Sequence, residues 1–279
     1  MTQHTVGLFA RELGGAGKRP LVLLHGLLGS GRNWQTVGTG LAEAAGGANV
    51  WALDMRNHGK SPWSEGMDYD AMAADVLAWF DASGLGAVDL MGHSMGGKVA
   101  MVLACRRPER VRRLAVVDIA PKDYLSHGHR AEFAAMHELR LSELRSRGEA
   151  ELKMEGRVPD WAMRKFLTTN LEQDATGGWR WIVNLPVLTA ALPALEANPL
   201  AADEGFAGPA VFVRGGRSRY VEDADLPGIR CRFPAARIET LAAAGHNPHM
   251  ETRAEFCAVV GAFLAAGGQE PMRAETAAT

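Results

Sequence analysis

The segment Ala87–Ala100, AVDLMGHSMGGKVA, restricts what this chain can become more than any other stretch. An apolar run ends at Met91, Gly92-His93-Ser94-Met95-Gly96 follows, and Val99, Met101, Val102 and Leu103 open a helical apolar spacing at once. Strand, sharp turn and helix are therefore predicted in immediate succession. A G-x-S-x-G sequence in that setting is a nucleophile elbow: the serine occupies a strained turn, and the flanking glycines let the chain double back. Ser94 Oγ is thereby lifted above the sheet, at a helix start whose unpaired backbone N–H groups favour developing negative charge. The five-residue pattern alone would also suit an ordinary Gly-rich turn; the flanking strand and helix are what point to a nucleophile.

Composition narrows the surroundings of that site. The 279 residues, 47% of them hydrophobic and 22% charged, suffice for an α/β core carrying an insertion. A net charge of -2 offers no general attraction for nucleic acid or an anionic membrane. Cys105, Cys231 and Cys257 are odd in number, far apart and without metal-ligand spacing, which fits free thiols in a reducing cytoplasm. The opening MTQHTVGLFA lacks the basic-then-apolar pattern of an export signal, and no apolar run is long enough to cross a bilayer, so a cytoplasmic protein without membrane insertion is expected. GGAGKRP has neither P-loop spacing nor a Ser or Thr after its lysine, and no Rossmann fingerprint is present.

Along the chain, Thr5–Glu12 is predicted to be a short strand, followed by a Gly-rich turn and the buried strand Leu21–Leu24. The strand Asn49–Leu53 runs into Asp54-Met55-Arg56-Asn57-His58-Gly59-Lys60-Ser61-Pro62, a polar cluster that needs mutual hydrogen bonds if buried and is expected to brace the site's rim. His58 lacks a partner motif that would make it a catalytic base. Tyr69–Ser83 reads as an amphipathic helix. Leu114–Val117 ends in Asp118, a carboxylate at the same sheet edge as Ser94. Residues 121–205 break the strand–helix alternation and read as a helical cap, with helical patterns over Arg130–Arg147 and Pro159–Leu171. Trp161 and Trp181, with Phe166 and Trp179, are candidate walls of an acyl pocket, although each would serve equally as cap core. The sheet resumes at Ala210–Val213 and ends with Arg237–Leu241. His246, in a Gly-His loop after that last strand, is the candidate base, and His249 is read as a loop residue. The expected division is thus a core of 1–120 and 206–267, a cap of 121–205 and a disordered tail at 268–279.

The elbow together with the early loop His25-Gly26-Leu27-Leu28-Gly29-Ser30 resembles the α/β-hydrolase superfamily. That resemblance implies a mostly parallel, twisted, eight-stranded sheet flanked by helices with an inserted helical cap, and an oxyanion hole formed by the Leu27 and Met95 backbone N–H groups. In most of the superfamily an aspartate stands in the loop where this chain has Ser218; Asp223 and Asp225 come later, at what looks like the start of a surface helix. HGLLGSGRNW, DMRNHGKSP, GHSMGGKVAM, VVDIAP, FLTTNL, WRWIVNLPVL, GGRSRYV and AGHNPHME, in that order from about Leu21 to Leu264, resemble the small YbfF-type bacterial esterases and their mitochondrial abhydrolase relatives. In that family the acid follows the sixth strand, as Asp118 does, and a serine at the Ser218 position completes a tetrad. The resemblance implies hydrolysis of acyl esters, with acyl-CoA thioesters as a further substrate class.

In that reading His246 takes the Ser94 proton, Asp118 orients the imidazole, Ser218 adds a hydrogen bond, and an acyl group rests on Ser94 before water releases it. No step calls for a metal or an organic cofactor, and the expected partner is a small acyl ester or thioester. The sequence sets no oligomeric state. Three other readings use the same elbow: a cofactor-free perhydrolase or haloperoxidase, a carbon–carbon lyase, and a ligand receptor on a hydrolase fold. Ser218 argues against the first, and VVDIAP with GGRSRYV against the second.

Overall fold

Alternate residues of the central strands bury on opposite faces of one sheet, and this period of two organises the core. Val22 and Leu24 pack with Leu90, Leu114, Val116 and Phe212 on one side. Leu21 and Leu23 pack with Met91, Ala115, Val117 and Val211 on the other. Both faces are apolar because both are covered by helices. The computed structural model describes residues 4–124 and 129–266.

In chain order the elements are β1 (Ala10–Gly14), β2 (Pro20–Leu24), α1 (Gln35–Ala44), β3 (Asn49–Leu53), α2 (Tyr69–Ala82), β4 (Val88–His93), α3 (Met95–Arg106) and β5 (Val111–Val117). There follow α4 (Arg130–Glu138), α5 (Arg147–Met154), α6 (Trp161–Thr168), β6 (Leu171–Gln173), β7 (Trp179–Trp181) and α7 (Leu185–Glu196). The chain closes with β8 (Ala210–Gly215), α8 (Leu226–Arg232), β9 (Ala236–Leu241), α9 (Pro248–Glu251) and α10 (Arg253–Ala265). The sheet runs β1-β3-β2-β4-β5-β8-β9. Only β1 is antiparallel to its neighbour. β4 sits at the centre, and α3, which begins at its C-terminal end, crosses back over the sheet.

Four expectations need correction. The sheet has seven strands among the described residues, not eight. Within residues 5–9, predicted as the start of a strand, two backbone N–H groups go to side chains instead: Val6 to Asp75 Oδ1 at 2.8 Å and Phe9 to Ser61 Oγ at 2.8 Å. Those donors are then not free for a ladder, and the strand begins only at Ala10. The inserted segment is also not wholly helical, because β6 and β7 pair as an antiparallel hairpin. Asp174 closes its turn by accepting from Thr176 N and Gly178 N, and Gly177 takes a φ of 85°. Finally, the long pattern over Arg130–Arg147 divides into α4 and the start of α5, with a single 3-10 turn between them. The tail predicted over 268–279 lies outside the described residues.

The polar cluster after β3 is held by an ion pair. Arg56 forks onto Asp75 of α2, Nε to Oδ2 at 2.6 Å and Nη2 to Oδ1 at 2.8 Å, with both side chains buried. Asp75 also holds Val6, so the pair ties the N-terminal segment, the β3 loop and α2 together. Removing one member of such a pair strands a buried charge. Arg56→Met is therefore expected to lower the unfolding free energy by about 3–5 kcal/mol in chemical denaturation; a loss below about 1 kcal/mol would mean that Asp75 finds water or another partner.

Candidate active site

β4 delivers Ser94 into the turn that its sequence predicts. Ser94 has φ 51° and ψ -118°, in the left-handed half of backbone space that a side chain rarely adopts. Its N–H donates to Val117 O at 3.0 Å, which fixes the turn to the neighbouring strand. The glycines are required by contact: a Cβ on Gly92 would lie 2.1 Å from Gly96 O, and one on Gly96 would lie 2.5 Å from Leu24 O. Ser94 therefore sits at the N-terminal end of α3, above the C-terminal edge of the sheet.

The ends of β5, β8 and β9 bring three further side chains together. Asp118 leaves β5 with φ 50° and donates its N–H to Val213 O at 2.8 Å. Its buried carboxylate collects three donors. Oδ1 accepts from Gly215 N at 2.9 Å, and Oδ2 accepts from both Ser218 Oγ and His246 Nδ1, the latter at 2.8 Å. Residues 100 and 128 positions away in sequence thus meet on one oxygen. Because Nδ1 of His246 donates to the carboxylate, Nε2 is left as the basic nitrogen of the neutral ring. Tyr220 stacks on the imidazole, with ring centroids 3.7 Å apart and planes 17° apart. His93 Nε2 donates to His246 O at 2.7 Å. Asp223 and Asp225 face elsewhere, paired with Arg214 and Lys122.

The loop carrying Leu27 is built on two neutral histidines. His25 Nδ1 donates to Gly26 O at 2.8 Å while Nε2 accepts from Met55 N at 2.9 Å. His58 Nδ1 donates to Arg56 O at 2.9 Å while Nε2 accepts from Leu28 N at 3.2 Å. Burial lowers both rings, His58 to about 3, with His25 nearby as a second cause. Both nitrogens of His58 are spent on backbone, which is a bracing role. The inserted segment adds a clamp: Asn170 Nδ2 donates to Leu28 O at 2.8 Å. Among the described residues, neither Leu27 N–H nor Met95 N–H donates within the protein.

Two cavities meet at Ser94. The wider, about 430 Å³, is lined by Gly26, Leu27, His246, His249, Met163 and Phe166 as well as Ser94. The narrower, about 50 Å³, is lined by Tyr69, Met95, Lys98, Tyr124, Leu192 and Tyr220 among others. Lys98 Nζ is enclosed, donating to Ala197 O at 2.6 Å and Glu196 O at 3.1 Å, and burial pushes its ammonium down to about 8. Trp161 and Trp181, expected as pocket walls, line neither cavity. Trp161 is 57% exposed with Lys165 Nζ over its ring, and Met163 and Phe166 occupy the inward side of α6. At 100° per residue, positions two and five along point away from Trp161. Trp181, on β7, faces a separate hollow beside Ser30 and Arg32.

The model of the alpha/beta hydrolase fold matches residues 19–137. Over 250 residues the chain is 37% identical to a Mus musculus protein named sn-1-specific diacylglycerol lipase ABHD11, covering 88% of this chain and 80% of that one. The chain belongs to the α/β-hydrolase family. It is also 36% identical over 235 residues to Esterase YbfF of Escherichia coli (strain K12), with 83% and 87% covered. A solved structure of a marine microorganism esterase superposes with a TM-score of 0.88 at 33% identity, covering 93% of this chain and all of that one. These relatives put the hydrolase among the esterase-type members of its family. No helix among its described residues is long and apolar enough to cross a membrane.

Three contributors at this hydrolase's site carry no role in the sequence reading: Tyr220, Asn170 and Lys98. Tyr220 and Asn170 lie inside the GGRSRYV and FLTTNL segments, and Lys98 one turn beyond Ser94, but only the fold brings them onto the site. His249 illustrates the electrostatics. It is buried between Trp34, His93 and Phe256, and burial, with His246 as a lesser cause, lowers its ring to about 3. The unfolded chain takes up this proton near 6.5, so protonation favours unfolding as pH falls from about 6.5 towards 3 and has no effect above. His249→Phe should flatten the stability profile by about 1.4 kcal/mol per pH unit between about pH 6 and pH 4. Urea unfolding at both pH values, with equal slopes for the two proteins, would show that His249 titrates normally.

Proposed function

We propose that this protein hydrolyses carboxylic esters of short acyl groups through an acyl-enzyme on Ser94, and thioesters by the same route. The observation that carries the reading is the convergence of His246 Nδ1, Ser218 Oγ and Gly215 N on the buried Asp118 carboxylate, beside an elbow serine whose neighbouring N–H groups are unoccupied. His246 Nε2 removes the Ser94 proton as Oγ attacks the carbonyl carbon, and Asp118 holds the imidazole tautomer and balances its positive charge. Leu27 N–H and Met95 N–H receive the oxyanion, each such donor being worth about a hundredfold or more in turnover. The carbon–oxygen bond then breaks, and His246 returns its proton to the leaving alcohol. Water repeats the sequence on the acyl-enzyme: His246 takes one of its protons, the hydroxide oxygen bonds to carbon, and Ser94 leaves with the proton from His246. A thiolate leaving group needs less protonation and uses the same groups.

The two cavities take different halves of the substrate. A general acid has to stand beside the atom it protonates, so the leaving group belongs on the His246 side, in the wider cavity. The acyl chain then occupies the narrower one, where about 50 Å³ between Tyr69, Tyr124 and Leu192 holds only a few heavy atoms. One relative is named a diacylglycerol lipase; the tight acyl side here favours acetyl to butyryl over long chains.

Hydrolysis of a chromogenic ester series of graded acyl length tests this. Turnover is expected to peak at short acyl groups, to vanish in Ser94→Ala, and to fall by about four orders of magnitude in Asp118→Asn, the loss that this change produces in a serine–histidine–aspartate triad. Asp223→Asn should leave turnover near wild type; loss there with retention in Asp118→Asn would reassign the acid. Leu192→Ala should move the optimum to longer chains, and an unchanged optimum would put the acyl group in the wider cavity.

A further inference from the structure

Sharing no lining residue with the two cavities at Ser94, a third hollow of about 550 Å³ opens between the 310 turn at Gly31–Trp34, the polar cluster after β3 and the β6–β7 hairpin. Its walls carry four cations, Arg11, Arg32, Lys60 and Arg180, against two carboxylates, Asp54 and Glu172. Glu172 is paired with Arg180. Asp54 spends both oxygens on backbone N–H groups, Gly31 at 2.7 Å and Lys60 at 2.8 Å, and reaches no cationic side chain. Among the described residues Arg11, Arg32 and Lys60 enter no ion pair. Arg11 Cζ and Lys60 Nζ both lie over the Phe9 ring, 5.7 and 5.0 Å from its centroid, and Arg11 Nε is buried without a hydrogen-bond partner. In a chain of net charge -2, this is a local excess of positive charge held around a concave space. Arg11, Arg32 and Lys60 outnumber Asp54, the wall carboxylate that pairs with no cation, so the empty hollow carries an excess of positive charge whose energy a bound anion lowers.

We propose that this hollow binds an organic phosphate. The phosphate lies against Arg11, Arg32 and Lys60, and the organic part lies against Trp63 and Trp181, which complete the walls. Four cations less two carboxylates leave two positive charges in excess, more than a single carboxylate would balance, and guanidinium groups match phosphate oxygens with paired hydrogen bonds. Trp63 is 57% exposed, a flat apolar face that the chain itself leaves uncovered. The phosphate can come from a free organic phosphate or from a phospholipid headgroup. The inference does not depend on the ester chemistry of Ser94, which lies in the other two cavities.

Trp63 and Trp181 supply the signal for the test. Intrinsic fluorescence is followed while the full-length protein is titrated with ADP and with inorganic pyrophosphate, and co-sedimentation is measured with phosphatidylglycerol vesicles. Saturable, salt-sensitive binding is expected in at least one arm, weakened about tenfold or more in Arg32→Ala/Lys60→Ala. Both side chains are exposed, and an unchanged thermal midpoint checks that the fold is kept. Binding of the soluble probes assigns a free phosphate; binding of vesicles alone, lost in the double variant, assigns a lipid headgroup. Trp63→Ala should weaken ADP several-fold and leave pyrophosphate unchanged. The proposal falls if no probe binds wild type, or if the double variant binds as tightly.

Discussion

Everything about this site depends on one backbone constraint, the positive φ at Ser94. A chain that leaves β4 in that conformation must turn at once into α3, and the turn closes only because Gly92 and Gly96 let backbone meet backbone. The strain at Ser94 persists because its surroundings over-determine it: β4 is paired on both sides, and α3 is buried along the sheet. The same geometry sets Ser94 and Met95 together in the wall of the narrower cavity. A parallel sheet adds the rest, because it presents the ends of β5, β8 and β9 on the same edge.

Around that edge the protein keeps its imidazoles neutral by burial. His25, His58, His93 and His249 are all lowered by desolvation, and His25, His58 and His93 spend ring nitrogens on backbone groups. His246 alone among these rings donates to a carboxylate, Nδ1 to Asp118 Oδ2. The division separates imidazoles bonded to backbone from the one bonded to a side-chain carboxylate. Asn170 fastens the inserted segment to the Leu27 loop, and Lys98 fastens the end of α7 to α3, so the walls of both cavities are tied to the elements that carry the site.

Local signals were legible where a short stretch of sequence carries its own reason. GHSMG implies a turn because only glycine fits beside that serine, and alternating burial in β2, β4 and β5 follows from apolar runs bounded by turn residues. Asp118 was visible as an acid at a strand end, and Asp54–Pro62 as a polar cluster needing internal bonds. The N-terminal strand begins later than its sequence predicts, because no local pattern reveals that Asp75 and Ser61 take the donors of Val6 and Phe9. The β6–β7 hairpin was missed because three-residue strands are too short to set a period.

The sequence by itself determined the elbow and the strand–helix alternation, since each rests on residues within a few positions of one another. Tertiary structure alone decided which aromatic side chains reach Ser94, that Tyr220 covers His246, and that Arg11, Arg32 and Lys60 gather around one hollow in excess of its carboxylates. Those are contacts between segments far apart in the chain. Their distances follow from how helices and loops pack over the sheet, which no local pattern encodes.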